Sequence, residues 1–191
     1  MTGILKVDNI QNSSGTSAMA IDSAGNINFS NNVANGVRIA VYRRYTQASF
    51  SSGLFNNRPF DSEDFSNISG TSIDGNGYAN IPAGTYLIKY ETSCVNDAGS
   101  LGETVSRVSN VGTGIVSGSY STRSSSVNAN ETCHVMGSFI VTFTSTAQLV
   151  IQTLSENGGF DDQQTFDGSP GNTLSAADGK TSVLMTVIKL V

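Results

Sequence analysis

The chain has one histidine, and it stands next to one of the two cysteines. His134 follows Cys133 in a stretch of alternating apolar residues that predicts a β-strand. Neighbouring side chains on a strand point to opposite faces, so this pair cannot act as a thiol nucleophile and its base. The sequence also lacks the G-x-S-x-G, H-E-x-x-H, Walker and dinucleotide-binding glycine motifs. We therefore expect a protein that is not an enzyme, with a structural or interface role for His134.

The carboxylates offer the other possible chemistry. Asp161, Asp162 and Asp167 lie in a polar, glycine-rich segment, and carboxylate oxygens are the ligands that Ca²⁺ prefers. Their spacing is not that of an EF-hand, and no feature of the sequence sets a glycosidase-like separation between Glu156 and these aspartates. We expect a solvated loop with no cofactor and leave open whether Ca²⁺ orders residues 156–179.

The cysteines, Cys94 and Cys133, belong to neither a C-x-x-C pattern nor a zinc-ligand spacing. The N-terminal residues contain no basic region followed by an apolar one, so they do not resemble a signal peptide. Proteins made in a cytoplasm usually keep their thiols reduced. We expect both cysteines to be reduced and buried, with a disulfide between them as the alternative.

Composition excludes two classes of partner. The net charge is -5, and the longest basic run is the pair Arg43–Arg44, which gives little support to nucleic-acid binding. No apolar run approaches the roughly 20 residues that span a bilayer, so we expect no membrane insertion.

Many short strands are expected. Only 13% of the residues are charged, glycine occurs 20 times, and no long stretch has helical periodicity. The central pattern runs from Ile81 to Tyr90, where Pro82 and Gly84 form a turn and Tyr86, Ile88 and Tyr90 then alternate with Leu87 and Lys89. About ten such strands in residues 36–191 predict an all-β antiparallel jelly-roll sandwich.

The segment GYANIPAGTYLIKYETSC, residues 77–94, resembles the central strand of the trimeric jelly roll in TNF-like domains and complement globular heads. The resemblance extends over residues 37–191 and implies a homotrimer. In TNF-like domains an aromatic sheet face lines the three-fold interface, which makes Tyr86, Tyr90 and Phe143 the interface candidates here. The alternative is that these rings fill the core of one chain.

Residues 1–35 have a different sequence pattern, in which short segments of alternating apolar and polar residues are separated by Ser, Gly and Asn turns. Their apolar side chains are too few for an independent core, so the segment is expected to pack on copies of itself or on another protein. The pattern in ILKVDNIQN and AIDSAGNINF resembles the opening of tail-fibre and accessory structural proteins of marine tailed phages. It implies an arm for attachment to the virion, and the arm candidates are Leu5, Val7, Ile10, Ile21, Ile27 and Phe29.

The segment 156–179 is long for a connection in a compact domain, which favours a functional loop. Its aromatic residues stand among Asp, Asn and Gln, a chemistry typical of carbohydrate or protein recognition. The candidates for an exposed binding loop are Phe160, Asp161, Asp162 and Phe166. The alternative is that the aromatic residues anchor their own loop.

Two functions follow from these expectations. In the first, the chain is a virion protein whose head recognises a host surface glycan or protein through loops 96–102, 123–130 and 156–179. In the second, it is a capsid decoration, fibre or vertex protein that binds other virion proteins through residues 1–35. A cellular TNF-like ligand is the third reading.

Overall fold

The computed structural model describes residues 9–11, 17–21, 27–29, 37–46, 48–51, 53–96, 102–125, 132–156, 160–162 and 181–190. The chain divides into two compact units, Met1–Val37 and Arg38–Val191. We predicted a boundary between residues 35 and 36, and the two units meet two residues later in the sequence. The assignment of a separate role to each unit stays a prediction.

The smaller unit contains an antiparallel sheet with the strand order β1–β2–β3. The strands are β1 (Asn9–Gln11), β2 (Ser17–Ile21) and β3 (Ile27–Phe29). Among the arm candidates, Ile10 lies opposite Met19, and Ile21 lies opposite Ile27. Leu5 and Val7 lie outside the described residues.

The larger unit is built from antiparallel strands in two sheets. They are β4 (Arg38–Arg44), β5 (Ser49–Phe50), β6 (Asn56–Arg58), β7 (Ser62–Ser66), β8 (Ser72–Ile73), β9 (Ala79–Ile81), β10 (Gly84–Asn96), β11 (Gly102–Asn110), β12 (Gly114–Ile115), β13 (Ser121–Ser125), β14 (Thr132–Phe143), β15 (Ala147–Ser155), β16 (Phe160–Asp162) and β17 (Val183–Lys189). The described residues contain no helix. The all-β prediction is therefore confirmed.

The first sheet has five principal strands in the order β7–β4–β17–β10–β14, and β16 with β5 extends it beside the far end of β10. In the second sheet β11 and β15 form the centre. Strands β12 and β13 pair with β11, while β6 and β9 pair with β15, and β8 adds to β9. Strands far apart in sequence are thus neighbours in space, as a jelly roll requires.

The core lies between these sheets. Alternate residues of each strand are buried, as the period-2 patterns predict. The buried apolar side chains include Tyr42, Tyr86, Ile88, Tyr90 and Met185 from the first sheet and Ile81, Val108, Leu149 and Ile151 from the second. One face of the most apolar strand, β14, also belongs to the interior, because Val135 and Phe139 are buried and Val141 and Phe143 pack against the core.

A buried arginine ties the sheets together at one end of this core. Arg58, on β6 of the second sheet, is fully buried. Its Nη2 donates to the carbonyl oxygen of Ser93 at 2.7 Å, on β10 of the first sheet, and to that of Ser182 at 3.1 Å, just before β17. Hydrogen bonds from a charged donor are stronger than neutral ones, so Arg58 acts as a polar cross-brace inside the sandwich.

The segment 156–179 was predicted as a long polar loop, and its described part contains the short strand β16. Strand β6 is likewise short and polar. Their partners come from distant parts of the chain, β15 for β6 and β10 for β16, so no local alternation of apolar residues marks them.

Candidate functional site

Tyr86 and Tyr90 do not form an interface surface. Tyr86 is fully buried, Tyr90 is 3% exposed, and both point between the two sheets of one chain. The hydroxyl of Tyr90 reaches across to the second sheet, 2.9 Å from the carbonyl oxygen of Ser106 and 2.6 Å from that of Ser119. Burial raises the pKa of both phenols. The interface prediction for these two residues is wrong, and core filling, the alternative, is correct.

Phe143, the third candidate, is half-buried at the end of β14. Its ring packs against the core, with a centroid 6.0 Å from that of Tyr86. It therefore serves the same core, although part of it remains accessible. The prediction placed the aromatic residues on the correct strands but on the wrong face of the sheet.

The opposite face of the first sheet carries the apolar surface that the sequence analysis missed. Residues directly opposite each other on antiparallel strands share a face. The register places Ile39, Ile188, Leu87 and Ile140 in one unbroken row across β4, β17, β10 and β14. Four aliphatic side chains thus form a continuous stripe on the outside of the sandwich.

Two further rows lie beside the stripe, one after the other on the same side of it. One contains Phe65, Val41, Thr186, Lys89 and Ser138, and the other contains Arg43, Leu184, Glu91 and Met136. We call these three rows together the outward face. Met136 is 67% exposed, Ile140 66% and Phe65 53%. Met136 and Ile140 lie on β14 at one edge of the sheet, and Phe65 lies on β7 at the other edge. Large exposed apolar side chains on one face are typical of an association surface.

The outward face is not flat. An open depression of about 500 Å³ lies between Met136 of β14 and Leu184 of β17, and Lys89, Glu91, Ser138 and Thr186 contribute to its walls. At the rim of the sheet, Arg43 Nε lies 3.0 Å from a carboxylate oxygen of Asp64. Apolar ridges, a depression and a polar rim are the usual components of a protein–protein interface.

The signal for this face was present in the sequence. Leu87 and Lys89 alternate with the three buried residues Tyr86, Ile88 and Tyr90, so one set must point outward if the other points inward. Choosing between the sets required knowledge of which face the second sheet covers. The sequence of one strand does not contain that information.

The exposed-loop prediction fails at Phe160, which is fully buried. Its ring lies 5.0 Å from that of Phe50 and packs in a small second cluster with Cys94, Cys133 and Val135. Strand β16 pairs with β10, which holds this ring against the sandwich. The alternative, an aromatic residue that anchors its own segment, describes Phe160 correctly.

The remaining loop candidates are only partly described. Asp161 lies opposite Ser49 and Val95, and Asp162 lies opposite Cys94. Phe166 and Asp167 lie outside the described residues, as do most residues of the three predicted recognition loops. Within the described part of the chain, no group of His, Cys, Asp and Glu side chains could hold a metal ion. The question of Ca²⁺ in segment 156–179 stays open.

The two cysteines are buried and form no disulfide with each other, as expected. They lie opposite each other on β10 and β14, within the cluster that contains Phe160. On β14, Cys133 is buried while its neighbour His134 is half-buried on the other face, so the two side chains diverge as predicted.

A second surface feature lies on the outside of the second sheet. Asn57, Gln152 and Arg107 form a row across β6, β15 and β11, and the side chains of Phe55 and Tyr120 border it. We call these five residues the Arg107 cluster. The guanidinium carbon of Arg107 lies 3.5 Å from the centroid of the Phe55 ring, and Tyr120 is half exposed. Sequence reasoning missed this cluster because its members come from four separate segments.

The described residues contain no helix that is both long enough and apolar enough to span a bilayer.

No protein-family model and no curated protein sequence matches this chain. Solved structures do match it. The TNF protein Eiger from S. frugiperda is similar with a TM-score of 0.55 at 10% identity, over 81% of this chain and 93% of that one. Murine APRIL is similar with a TM-score of 0.52 at 10% identity, over 81% and 100%.

The globular domain of zebrafish complement 1qA protein is similar with a TM-score of 0.50 at 11% identity, over 82% of this chain and 98% of that one. At such low identity the similarity concerns the fold, and it confirms the prediction made from residues 77–94. The larger unit is a jelly roll of the kind found in TNF and complement globular domains.

Proposed function

We propose that this chain is a non-enzymatic binding protein that assembles as a homotrimer through the outward face of its first sheet. The observation that carries the proposal is the unbroken aliphatic row Ile39–Ile188–Leu87–Ile140, with exposed Phe65 and Met136 in the two rows beside it. Burying such a stripe on association would remove its apolar surface from water, which is favourable by about 25 cal/mol for each Å² buried. Closed cyclic symmetry then covers the face on every copy.

The cellular role that we propose is in a phage particle. Support comes from the N-terminal pattern, which resembles the opening of phage fibre proteins, and from the division of the chain into two units. In this proposal, residues 1–35 attach the protein to the virion, while the jelly-roll head contacts a glycan or protein of the host surface.

A capsid decoration or vertex protein is the second candidate. The three-stranded sheet of the smaller unit favours it, because strands this short need a partner to be stable and another virion protein could supply one. A cellular TNF-like ligand has the same fold and remains the third candidate.

The solution mass of the full chain tests the trimer. Sedimentation velocity should give three times the mass of one chain, and Ile140→Glu should shift the protein toward the monomer because it places a charge at the exposed β14 end of the aliphatic row. Ile115→Glu is the matched control, since Ile115 is also exposed but lies on β12 of the other sheet. A wild-type mass of one chain, or an Ile140→Glu variant that remains fully trimeric, would refute this interface.

The two phage roles differ in what the labelled full chain binds. As an adhesion protein it should label host cells saturably, and substitutions in the head, residues 36–191, should abolish the labelling. As a decoration protein it should label virion shells instead, and Ile21→Glu with Ile27→Glu in the arm should abolish that binding. Labelling of neither target would contradict both phage roles.

A further inference from the structure

In the Arg107 cluster, every hydrogen bond is donated outward, away from Arg107. Arg107 Nε donates to Gln152 Oε1 at 2.7 Å, and Gln152 Nε2 donates to Asn57 Oδ1 at 2.7 Å. Arginine can only donate, so it determines the orientation of the Gln152 amide and, through it, that of Asn57. Asn57 Nδ2 consequently points away from the row as a donor.

The other end of the network also finishes in a donor. Arg107 Nη1 donates to the hydroxyl oxygen of Tyr120 at 2.8 Å, which leaves the phenolic proton available to an acceptor. Among the described residues, Arg107 Nη2 has no hydrogen-bond partner, and Arg107 forms no ion pair. The cluster therefore presents a positive charge and a set of donors.

Aromatic rings hold these donors in place. The Arg107 guanidinium stacks on Phe55, and the Phe55 ring meets the edge of Tyr120 at a centroid distance of 6.3 Å and an angle of 80°. Tyr120 is thereby fixed at its ring and at its hydroxyl, although half of its surface is exposed. An exposed but immobilised ring binds a ligand at a low cost in conformational entropy.

We infer that the Arg107 cluster is a binding subsite for an acidic sugar, a pyranose that carries a carboxylate. The apolar C–H face of a pyranose can pack on the Tyr120 ring, and its hydroxyl and carboxylate oxygens are acceptors that match the donors of Arg107 and Asn57. This inference rests on the proposed role in binding and names the ligand class for the head. It is independent of the outward face, which lies on the other sheet.

Matched probes test the inference on the full-length protein. Methyl β-glucuronide and methyl β-glucoside differ only in whether C6 is a carboxylate, and sodium acetate supplies a carboxylate without the sugar ring. Titrations followed by ¹H–¹⁵N correlation spectra would monitor the side-chain N–H groups of Asn57, Gln152 and Arg107. We expect saturable shifts with the glucuronide, weaker shifts with the glucoside and none with acetate at the same concentration.

Variants separate recognition from folding. Asn57→Asp keeps the size and the acceptor of the exposed Asn57 but replaces its donor with a negative charge, and it should weaken glucuronide binding at least tenfold. Tyr120→Ala should remove binding, while Ile115→Ala, a change at another exposed position of the same sheet, should leave it unchanged. Each variant should keep the wild-type solution mass.

Equal shifts with acetate, a preference for the glucoside, or unaltered binding by Asn57→Asp would overturn the acidic-sugar inference. The proposed trimer would survive each of these results, because it is measured by mass. Conversely, a monomeric wild type that still binds the glucuronide would refute the trimer and retain the sugar site.

Discussion

Gly137 is a position where one added methyl group should be costly. It lies on β14 opposite Tyr90 of β10, and the Tyr90 ring passes over it. A Cβ atom built on Gly137 would lie 2.6 Å from the Tyr90 hydroxyl oxygen and still closer to Cε1 and Cζ of the ring. Atoms cannot approach this closely, so in Gly137→Ala either the ring or β14 must move.

The Tyr90 ring has little freedom to move. It is buried, and its hydroxyl lies within hydrogen-bond distance of the carbonyl oxygens of Ser106 and Ser119. Overpacking of a core costs about 1–3 kcal/mol. Displacing the hydroxyl adds about 1 kcal/mol for a lost hydrogen bond. Alanine lowers the conformational entropy of the unfolded chain relative to glycine, which offsets the loss of stability by roughly 0.4–1 kcal/mol. The net expectation is a loss of about 2 kcal/mol in the free energy of unfolding.

Urea and thermal unfolding, followed by circular dichroism at a fixed protein concentration, would measure this loss. A concentration that is held constant prevents self-association from altering the comparison. For a chain of this size, about 2 kcal/mol corresponds to a decrease in Tm of about 4–8 °C. Gly75→Ala is the control, because no described atom lies within 4 Å of the Cβ position there. It should change stability by less than about 0.5 kcal/mol.

A double-mutant cycle isolates the clash. In a Tyr90→Leu background the ring is absent, so Gly137→Ala should cost little, and the two changes should show an interaction energy of about 2 kcal/mol. If Gly137→Ala destabilises both backgrounds equally, the ring contact is not the cause. A Gly137→Ala protein as stable as the wild type would refute the reasoning altogether.

The other two stability predictions concern buried polar groups. Arg58→Met should lower the free energy of unfolding by about 2–4 kcal/mol, because the carbonyl groups of Ser93 and Ser182 lose a charged donor. Arg58→Lys should recover only part of the lost free energy. If urea denaturation shows the methionine variant to be as stable as the wild type, Arg58 does not act as a cross-brace. Burial raises the pKa of Tyr42 and Tyr90 above the usual value of 10, and the Glu63 carboxylate adds to the effect at Tyr42. The folded state then holds protons that the unfolded state releases. The contribution of these two groups to stability should therefore be constant below about pH 10 and fall above it by at most about 1.4 kcal/mol per pH unit for each group. Tyr42→Phe should make that fall shallower in denaturant titrations between about pH 9 and 12, and a wild type with constant stability throughout this range would contradict the assigned burial.

The fold could be predicted because its signals are local. Alternation in Ile81–Tyr90 and in the stretch around Phe139 reports a strand with one buried face, and glycine-rich turns separate such strands. The expected burial of Cys94 and Cys133 follows from the same patterns. Short polar strands such as β6 and β16 escaped detection because their stability comes from partners distant in the sequence.

The candidate surfaces depended on information that no single strand carries. Alternation shows that Tyr86 and Leu87 point to opposite sides, but it does not identify the side that the second sheet covers. A large aromatic side chain suits a core and an interface equally well, which is why Tyr86 and Tyr90 were assigned to the wrong face. Phe160 was expected to be exposed because its sequence neighbours are polar, although its strand pairs with β10 and buries the ring.

The amino-acid sequence by itself determined the all-β class, the positions of the long strands and the reduced state expected of the thiols. Each of these depends on side-chain alternation, backbone preference or composition within a short segment. The tertiary structure alone decided which alternate residues form the core, brought Ile39, Ile188, Leu87 and Ile140 into one row, and assembled Asn57, Gln152 and Arg107 beside two aromatic rings. The physical reason is that a sheet face is defined by strand order and register, which are properties of pairs of distant segments.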